Sequence, residues 1–304
     1  MVTDGRAKAS ATFSAASSRH VLRTACAAVD LDSSDASLMR LGENALFHLP
    51  SAAVVVRIAR TMSYWDDATK EVDVAGWLAD IGFPAAETYN VHQPIEADKH
   101  PVTFWKFIPG RPGNRSDIGT LGSVLRRLHS LESPKTFELP KEDILGRVRP
   151  RIEQSPIPET DKDFLLGRLE KLRSDVEILK FPLAPAPTHG DAHNENLMIQ
   201  AGRALLIDFE RFAWGQPEWD LSMTATEYLS AKWWSPLEYQ QFSESYGFDI
   251  TTWTDGFDTL RSVHELKMTT WLMQNVAESQ DVADEYQVRM RTLRGEPSKG
   301  WRPF

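Results

Sequence analysis

The sequence predicts an α+β chain in two parts, with a small antiparallel sheet up to about Ile108 and a mainly helical remainder from Pro109 to Phe304. Three observations carry this. Runs of alternating or β-branched residues (Leu38–Leu49, Ala52–Ala59, Ala86–Val91 and Val102–Ile108) all fall in the first part. Beyond Pro109 the apolar residues recur at helical spacing, as Ile118, Leu121, Val124, Leu125 and Leu128 do. A length of 304 residues exceeds the usual single domain, so two lobes sharing a cleft are expected.

Composition narrows the class. Apolar residues at 41% and charged residues at 25% describe an ordinary globular protein. A net charge of -9 and a pI near 5.4 argue against a general affinity for nucleic acid or an anionic membrane. The longest apolar runs, such as Ser51–Ala59, stop at charged residues well short of a bilayer's width. The single Cys26 rules out an internal disulfide and says nothing against a reducing compartment, and the location expected is cytoplasmic. Cys26 falls in the small-residue run Ala25–Ala28 and reads as a packed helix residue. Residues 1–18 are small and polar without the leucine-rich centre of a signal peptide, and read as a disordered tail. The two parts then run from 19 to 108 and from 109 to 304.

In the first part, Val21, Leu22, Ala25 and Ala28 suit a helix over Arg19–Val29, followed by an Asp/Ser-rich loop to Ser37. Leu38–Leu49 reads as a hairpin turning at Gly42-Glu43-Asn44. Ala52–Ala59 is a buried strand from which Arg57 projects, and a buried cation needs a partner. Helical spacing of Val72, Ala75, Leu78 and Ala79 over Tyr64–Ile81 brings Glu71 forward as that partner. Gly82-Phe83-Pro84 stops the helix, Ala86–Val91 is the next strand, and Val102–Ile108 is the last, broken by Pro109-Gly110.

In the second part, Ser116 is expected to cap a helix reaching about Leu131, with His129 packed at its end. Ile144–Ile152 and Asp161–Leu179 give further helical patterns. Pro182, Pro185 and Pro187 then carry the chain, extended, into Thr188. Helices follow from near Trp219, over Ser235–Tyr246, over Trp253–Ala277 and over Asp284–Leu293. Asp220, at the opening of the first of these, is placed to accept backbone N–H groups of the preceding loop.

The chemistry concentrates in Thr188–Leu221, THGDAHNENLMIQAGRALLIDFERFAWGQPEWDL. Asp191 is followed five residues later by Asn196. Two apolar runs, Leu197–Ile199 and Ala204–Ile207, flank a turn at Gly202, and the second ends in Asp208-Phe209-Glu210. Such a hairpin carries Asn196 and Asp208 at one end of its paired strands. A carboxylate to orient a hydroxyl, with an amide and a carboxylate to hold magnesium, is the set that phosphoryl transfer needs. The alternation His189, Asp191, His193 also admits a second reading, as metal ligands of a hydrolase.

Together HGDAHNEN, IDFE and GQPEWDL resemble, in order within 34 residues, the aminoglycoside phosphotransferase and choline kinase family. The resemblance spans nearly all of the chain beyond residue 18. It implies a bilobal protein-kinase-like fold and magnesium-dependent transfer of the γ-phosphoryl group of ATP or GTP to a small hydroxylated acceptor. By the same resemblance Asp191 is the catalytic residue, and Asn196 and Asp208 are the magnesium ligands. Gly42, Glu43 and Asn44 lie over the nucleotide phosphates, and Arg57, aimed by Glu71, grips them. Backbone groups of Lys106, Phe107 and Ile108 pair with the purine edge.

The resemblance puts the acceptor among the C-terminal helices. Between Pro217 and Tyr286 there are thirteen Asp and Glu but three Lys and Arg, with five tryptophans, which suits a cationic or polyol acceptor. Glu210, Glu218 and Glu227 are the candidate acceptor contacts. Antibiotics, aminoglycoside-like or other, and sugar or amino-alcohol metabolites stay open, as does a kinase-like binding protein without catalysis.

Overall fold

The computed structural model of the chain describes residues 13–42, 44–297 and 299–304. It divides into two compact units, Met1–Gly110 with Leu205–Glu210, and Arg111–Ala204 with Arg211–Phe304. The α+β class expected from the sequence is the one found: a small antiparallel sheet in the first unit and mostly helices in the second. A single cut at Ile108/Pro109 leaves Leu205–Glu210 in the second part, whereas these six residues group with the first unit. The reason is that Leu206 exchanges backbone hydrogen bonds with Pro84 and Ala86.

The first unit opens with α1 (Ala15–Ala28). Ser14 and Ser17 exchange the side-chain-to-backbone hydrogen bonds of a capping box, so the helix starts four residues before Arg19. The end of the stretch expected to be a disordered tail is therefore a helix start, and its serines are the cap. Residues 1–12 of that expectation lie outside the described residues. Val21, Leu22, Ala25 and Cys26 form the buried face, and burial pushes the Cys26 thiol up to about 11, which makes it a packing group.

Next come β1 (Ser37–Leu41), β2 (Asn44–Leu49), β3 (Val54–Ala59), α2 (Trp65–Asp80), β4 (Ile95–Ala97) and β5 (His100–Lys106). The strands form one antiparallel sheet in the order β1-β2-β3-β5-β4. Alternation puts Ala45, Phe47, Leu49, Val54, Val56, Ile58, Val102 and Phe104 in a single core with α1. Arg57, paired in register with Thr103, alternates with those core residues along β3.

The expected strand over Ala86–Val91 is absent; that segment makes only isolated bridges, Ala85 to Leu206 and Thr88 to Trp105. The Gln93 side chain takes the ladder position instead, accepting from the Phe104 N–H at 2.7 Å and donating to the Phe104 carbonyl at 3.1 Å. The edge strand is the short β4.

The second unit contains β6 (Arg111–Pro112), α3 (Ile118–Leu128), α4 (Val148–Gln154), α5 (Glu159–Glu177), β7 (Ala186–Thr188), β8 (Leu197–Gln200), β9 (Arg203–Leu206, whose last two residues group with the first unit), β10 (Ala213–Gly215), α6 (Pro217–Thr226), α7 (Pro236–Tyr246), α8 (Phe257–Leu272) and α9 (Gln280–Leu293). Asn114, not Ser116, starts the first helical stretch: its Oδ1 accepts the Ser116 N–H at 2.9 Å, and α3 proper begins at Ile118. α6 continues as a π-helical turn over Glu227–Ala231. Trp219 of α6, Leu165 and Leu169 of α5, Leu260, Val263 and Leu266 of α8 and Met290 of α9 belong to one core. Between β8 and β9, Ala201 and Gly202 both take positive φ, 48° and 78°, the two-residue turn expected at Gly202.

Candidate active site

In the first unit the site is built round Arg57. Strand alternation turns its side chain away from the α1 core, with 14% of it exposed. Nη1 donates to Glu71 of α2, and Nη2 donates to Glu210 at 2.9 Å. Asp208 Oδ1 lies 3.9 Å from Nη1. With its amide oxygen turned to Arg57, Asn44 accepts from Nε at 3.2 Å and Nη2 at 2.8 Å. The Arg57–Glu71 pair is thus as the sequence suggests, but the guanidinium has further acceptors in Glu210 and Asn44.

Charge in this group is not balanced. Burial first, then the carboxylates of Asp208 and Glu210, push Glu71 up to about 8 against the pull of Arg57. A second cation, Lys70, donates to the Glu210 carbonyl and stands 3.6 Å from Asp67; burial lowers its pKa. Asp208 adopts a left-handed backbone, φ 65°, with a side chain 46% exposed. Its carboxylate is the least engaged in the group, so it is the oxygen donor best able to take a cation.

Glu210, expected among the acceptor contacts, is a partner of Arg57. Gly42 donates its N–H to the Asn44 carbonyl at 3.0 Å and accepts from Arg60 at 2.8 Å, which closes the β1–β2 turn. Glu43 lies outside the described residues. Of the residues expected to meet a purine, Lys106 and Phe107 have their N–H groups taken by the carbonyls of Glu87 and Ala53, at 2.9 and 2.8 Å. The Ile108 N–H has no acceptor among the described residues. Phe107 stacks on His48 with ring centroids 4.0 Å apart.

In the second unit the site is the loop after β7. Gly190 has φ 78°, and a Cβ there would come within 2.4 Å of the Arg211 carbonyl, so only glycine fits. The buried Asp220 carboxylate accepts the N–H groups of His189 at 2.7 Å and Gly190 at 2.8 Å, the role its position at the head of α6 suggests. His129 Nε2 lies 2.9 Å from the same carboxylate. The Trp219 indole N–H donates to the Gly190 carbonyl at 3.2 Å. This frame fixes the residue that follows, Asp191.

The Asp191 side chain is 47% exposed and lies 3.7 Å from His193 Nε2. Withdrawal from water would raise its pKa, but the neighbouring His193 above all, with the charges of His189 and Lys267, holds it well below the usual carboxylate range. His193 responds in reverse: burial would lower it, yet Asp191, Glu227 and Glu195 push it up to about 9. A 3-10 turn, Asn194–Asn196, brings the Asn196 Nδ2 to the Asp191 carbonyl at 2.8 Å, which leaves the amide oxygen as its remaining donor atom. Asn196 immediately precedes β8, and Asp208 follows β9 by two residues. Each offers a hard oxygen, the kind of ligand atom that magnesium takes.

Glu218, expected among the acceptor contacts, is fully buried and accepts the Leu183 N–H at 2.7 Å. Glu227 is also buried and accepts from the Trp234 indole at 2.7 Å; burial pushes it up to about 7. His189 is wholly buried and His193 is paired with Asp191. Among the described residues no group of three or more His, Cys, Asp and Glu is placed to hold a metal, so the hydrolase reading lacks its ligand set. Sequence reasoning missed Lys70 and Lys267, and the Arg57–Glu210 contact. The one signal for Lys267 is that it is among only three basic residues in the acid-rich stretch from Pro217 to Tyr286.

A family model described as the phosphotransferase enzyme family matches residues 42–263. The chain belongs to this family. Both groups of residues just described, Lys267 apart, lie inside the matched span of this phosphotransferase. Among solved structures it is similar to the amicoumacin kinase hAmiN in complex with AMP-PNP, Ca2+ and Ami, at 16% identity, with 93% of this chain and 97% of that one covered and a TM-score of 0.71. It is also similar to a choline/ethanolamine kinase family protein from Mesorhizobium loti, at 16% identity over 86% of this chain and 87% of that one, with a TM-score of 0.57. A third is an aminoglycoside-3'-phosphotransferase of type VIII, at 15% identity over 81% and 99%, with a TM-score of 0.58. At these identities the likeness carries the fold, a protein-kinase-like one. No curated protein matches the chain. No helix among the described residues is long and apolar enough to cross a membrane.

Proposed function

We propose that this phosphotransferase moves the γ-phosphoryl group of ATP or GTP onto a hydroxyl of a small molecule, with Asp191 as the catalytic residue. The observation that carries the reading is the Asp191–Asn196 turn. It leaves an ionised, half-exposed carboxylate beside an asparagine whose amide nitrogen is already used and whose oxygen remains.

Asp191 accepts the hydrogen bond of the acceptor hydroxyl and aims its oxygen at phosphorus. A bond forms from that oxygen to the γ-phosphorus as the bond to the bridging β,γ-oxygen breaks, and the hydroxyl proton passes to Asp191. A carboxylate held this far below the ordinary range is a weak base. Its contribution is therefore mainly orientation, which a loose transition state rewards. Magnesium, held by Asn196 and Asp208, would neutralise charge on the phosphates. Arg57 orders Asn44, Glu71 and Glu210, and meets phosphate where one of these acceptors yields.

The acid-rich C-terminal helices favour a cationic or polyol acceptor, with Glu227 a candidate contact; antibiotics, sugars and amino alcohols all qualify. The reading is tested by screening such hydroxylated compounds for nucleoside diphosphate release with ATP and with GTP. Asp191→Ala should cost about 3 kcal/mol or more of transition-state stabilisation while nucleotide still binds. Near-parental turnover in that variant removes Asp191 from the mechanism.

A further inference from the structure

Lys267 stands on α8, just past the end of the matched family span at residue 263. Its ammonium lies 4.6 Å from the centroid of the Trp219 ring. The same ring stacks on His264 at 3.6 Å and gives its N–H to the Gly190 carbonyl, next to Asp191 in the chain. One aromatic side chain thus separates this cation from the catalytic loop.

Among the described residues the Lys267 ammonium has no hydrogen-bond acceptor and no carboxylate within 4.0 Å. The charged groups that face it are Asp191 and Glu142, which favour its protonation, and Arg211 and Arg151 of α4, which oppose it. Glu142 compensates weakly, because burial and Asp220 push its own carboxyl up to about 8, so that it is largely neutral at neutral pH. Asp191 is already committed to His193. A partly buried ammonium with only an aromatic face for company is a poor arrangement unless an anion arrives.

We propose that Lys267 is a further residue of the reaction, one that presents its ammonium to the γ-phosphoryl group at the place Asp191 serves. The inference rests on the function proposed above. It makes Lys267 a reader of triphosphate over diphosphate, supplied by the helical unit.

The test is calorimetric titration of the full chain with magnesium ADP and with a magnesium complex of a non-hydrolysable ATP analogue. Parent, Lys267→Met and Lys267→Arg are compared. Methionine keeps length and apolar contact, so it should fold, and a melting curve checks this. The methionine variant should lose analogue affinity on the order of tenfold with ADP affinity unchanged, and arginine should restore most of it. Burial holds the parent amine near 8, so the parent's preference for the analogue should fade as pH rises past about 8. The arginine variant should keep it. An unchanged preference in Lys267→Met, or an equal loss for both nucleotides, overturns the proposal and makes Lys267 a packing cation. If the parent binds neither nucleotide, the proposed function itself falls, and this inference falls with it.

Discussion

Glu71 accepts from Arg57 across the β3–α2 packing, and the arginine is the member of the pair with further acceptors: Glu210 at 2.9 Å and Asn44 at 2.8 Å. Its planar fork serves these acceptors at once, which a lysine ammonium cannot reproduce. Arg57→Lys should therefore weaken nucleotide use, and Glu71→Gln should do similar damage by leaving the fork poorly aimed. The double variant should lose less than the sum of the two. Strictly additive losses in a double-mutant cycle on nucleotide kinetics would separate the two roles.

Asp208 sits at φ 65°, a conformation that asparagine also tolerates. Asp208→Asn should consequently leave the melting temperature near parental while raising the magnesium concentration needed for half-maximal rate, since a neutral amide replaces a charged ligand. Equal magnesium dependence in the two proteins would reduce Asp208 to a strand-end residue.

Gly190→Ala forces a Cβ to 2.4 Å from the Arg211 carbonyl at φ 78°. The expected cost is roughly 1–3 kcal/mol of stability. Turnover should fall further than stability does, because the displaced peptide carries Asp191. Denaturant melts alongside steady-state rates make the comparison, and a melt unchanged from the parent would contradict the packing described.

His193 is held up to about 9, above its ordinary 6.5, by Asp191, Glu227 and Glu195. A raised folded-state value contributes stability that is complete below 6.5 and is lost as pH rises through 9. The raised carboxyls of Glu71, Glu142 and Glu227 act with the same sign, so the informative quantity is the difference between parent and His193→Gln. That difference should be on the order of 1–2 kcal/mol at pH 6 and shrink by pH 9. A difference independent of pH would mean the imidazole titrates alike in the folded and unfolded protein.

Much of this protein is legible in its sequence because local rules suffice there. The period-two runs of β2 and β3, the Gly202 turn, and Asp191, Asn196 and Asp208 in their order are fixed by neighbours along the chain. Even the Arg57–Glu71 pair follows from the rule that a cation in an apolar strand needs a counter-charge. Other features depend on contacts distant in sequence. Gln93 displaces a strand by bonding Phe104, Glu210 turns to Arg57 although 153 residues separate them, and Glu218 is spent on Leu183. Lys267 reaches the ring of Trp219 only through the packing of α8 on α6. Hydrogen-bond partners of buried polar groups are chosen by proximity in three dimensions, and periodicity carries no record of that choice.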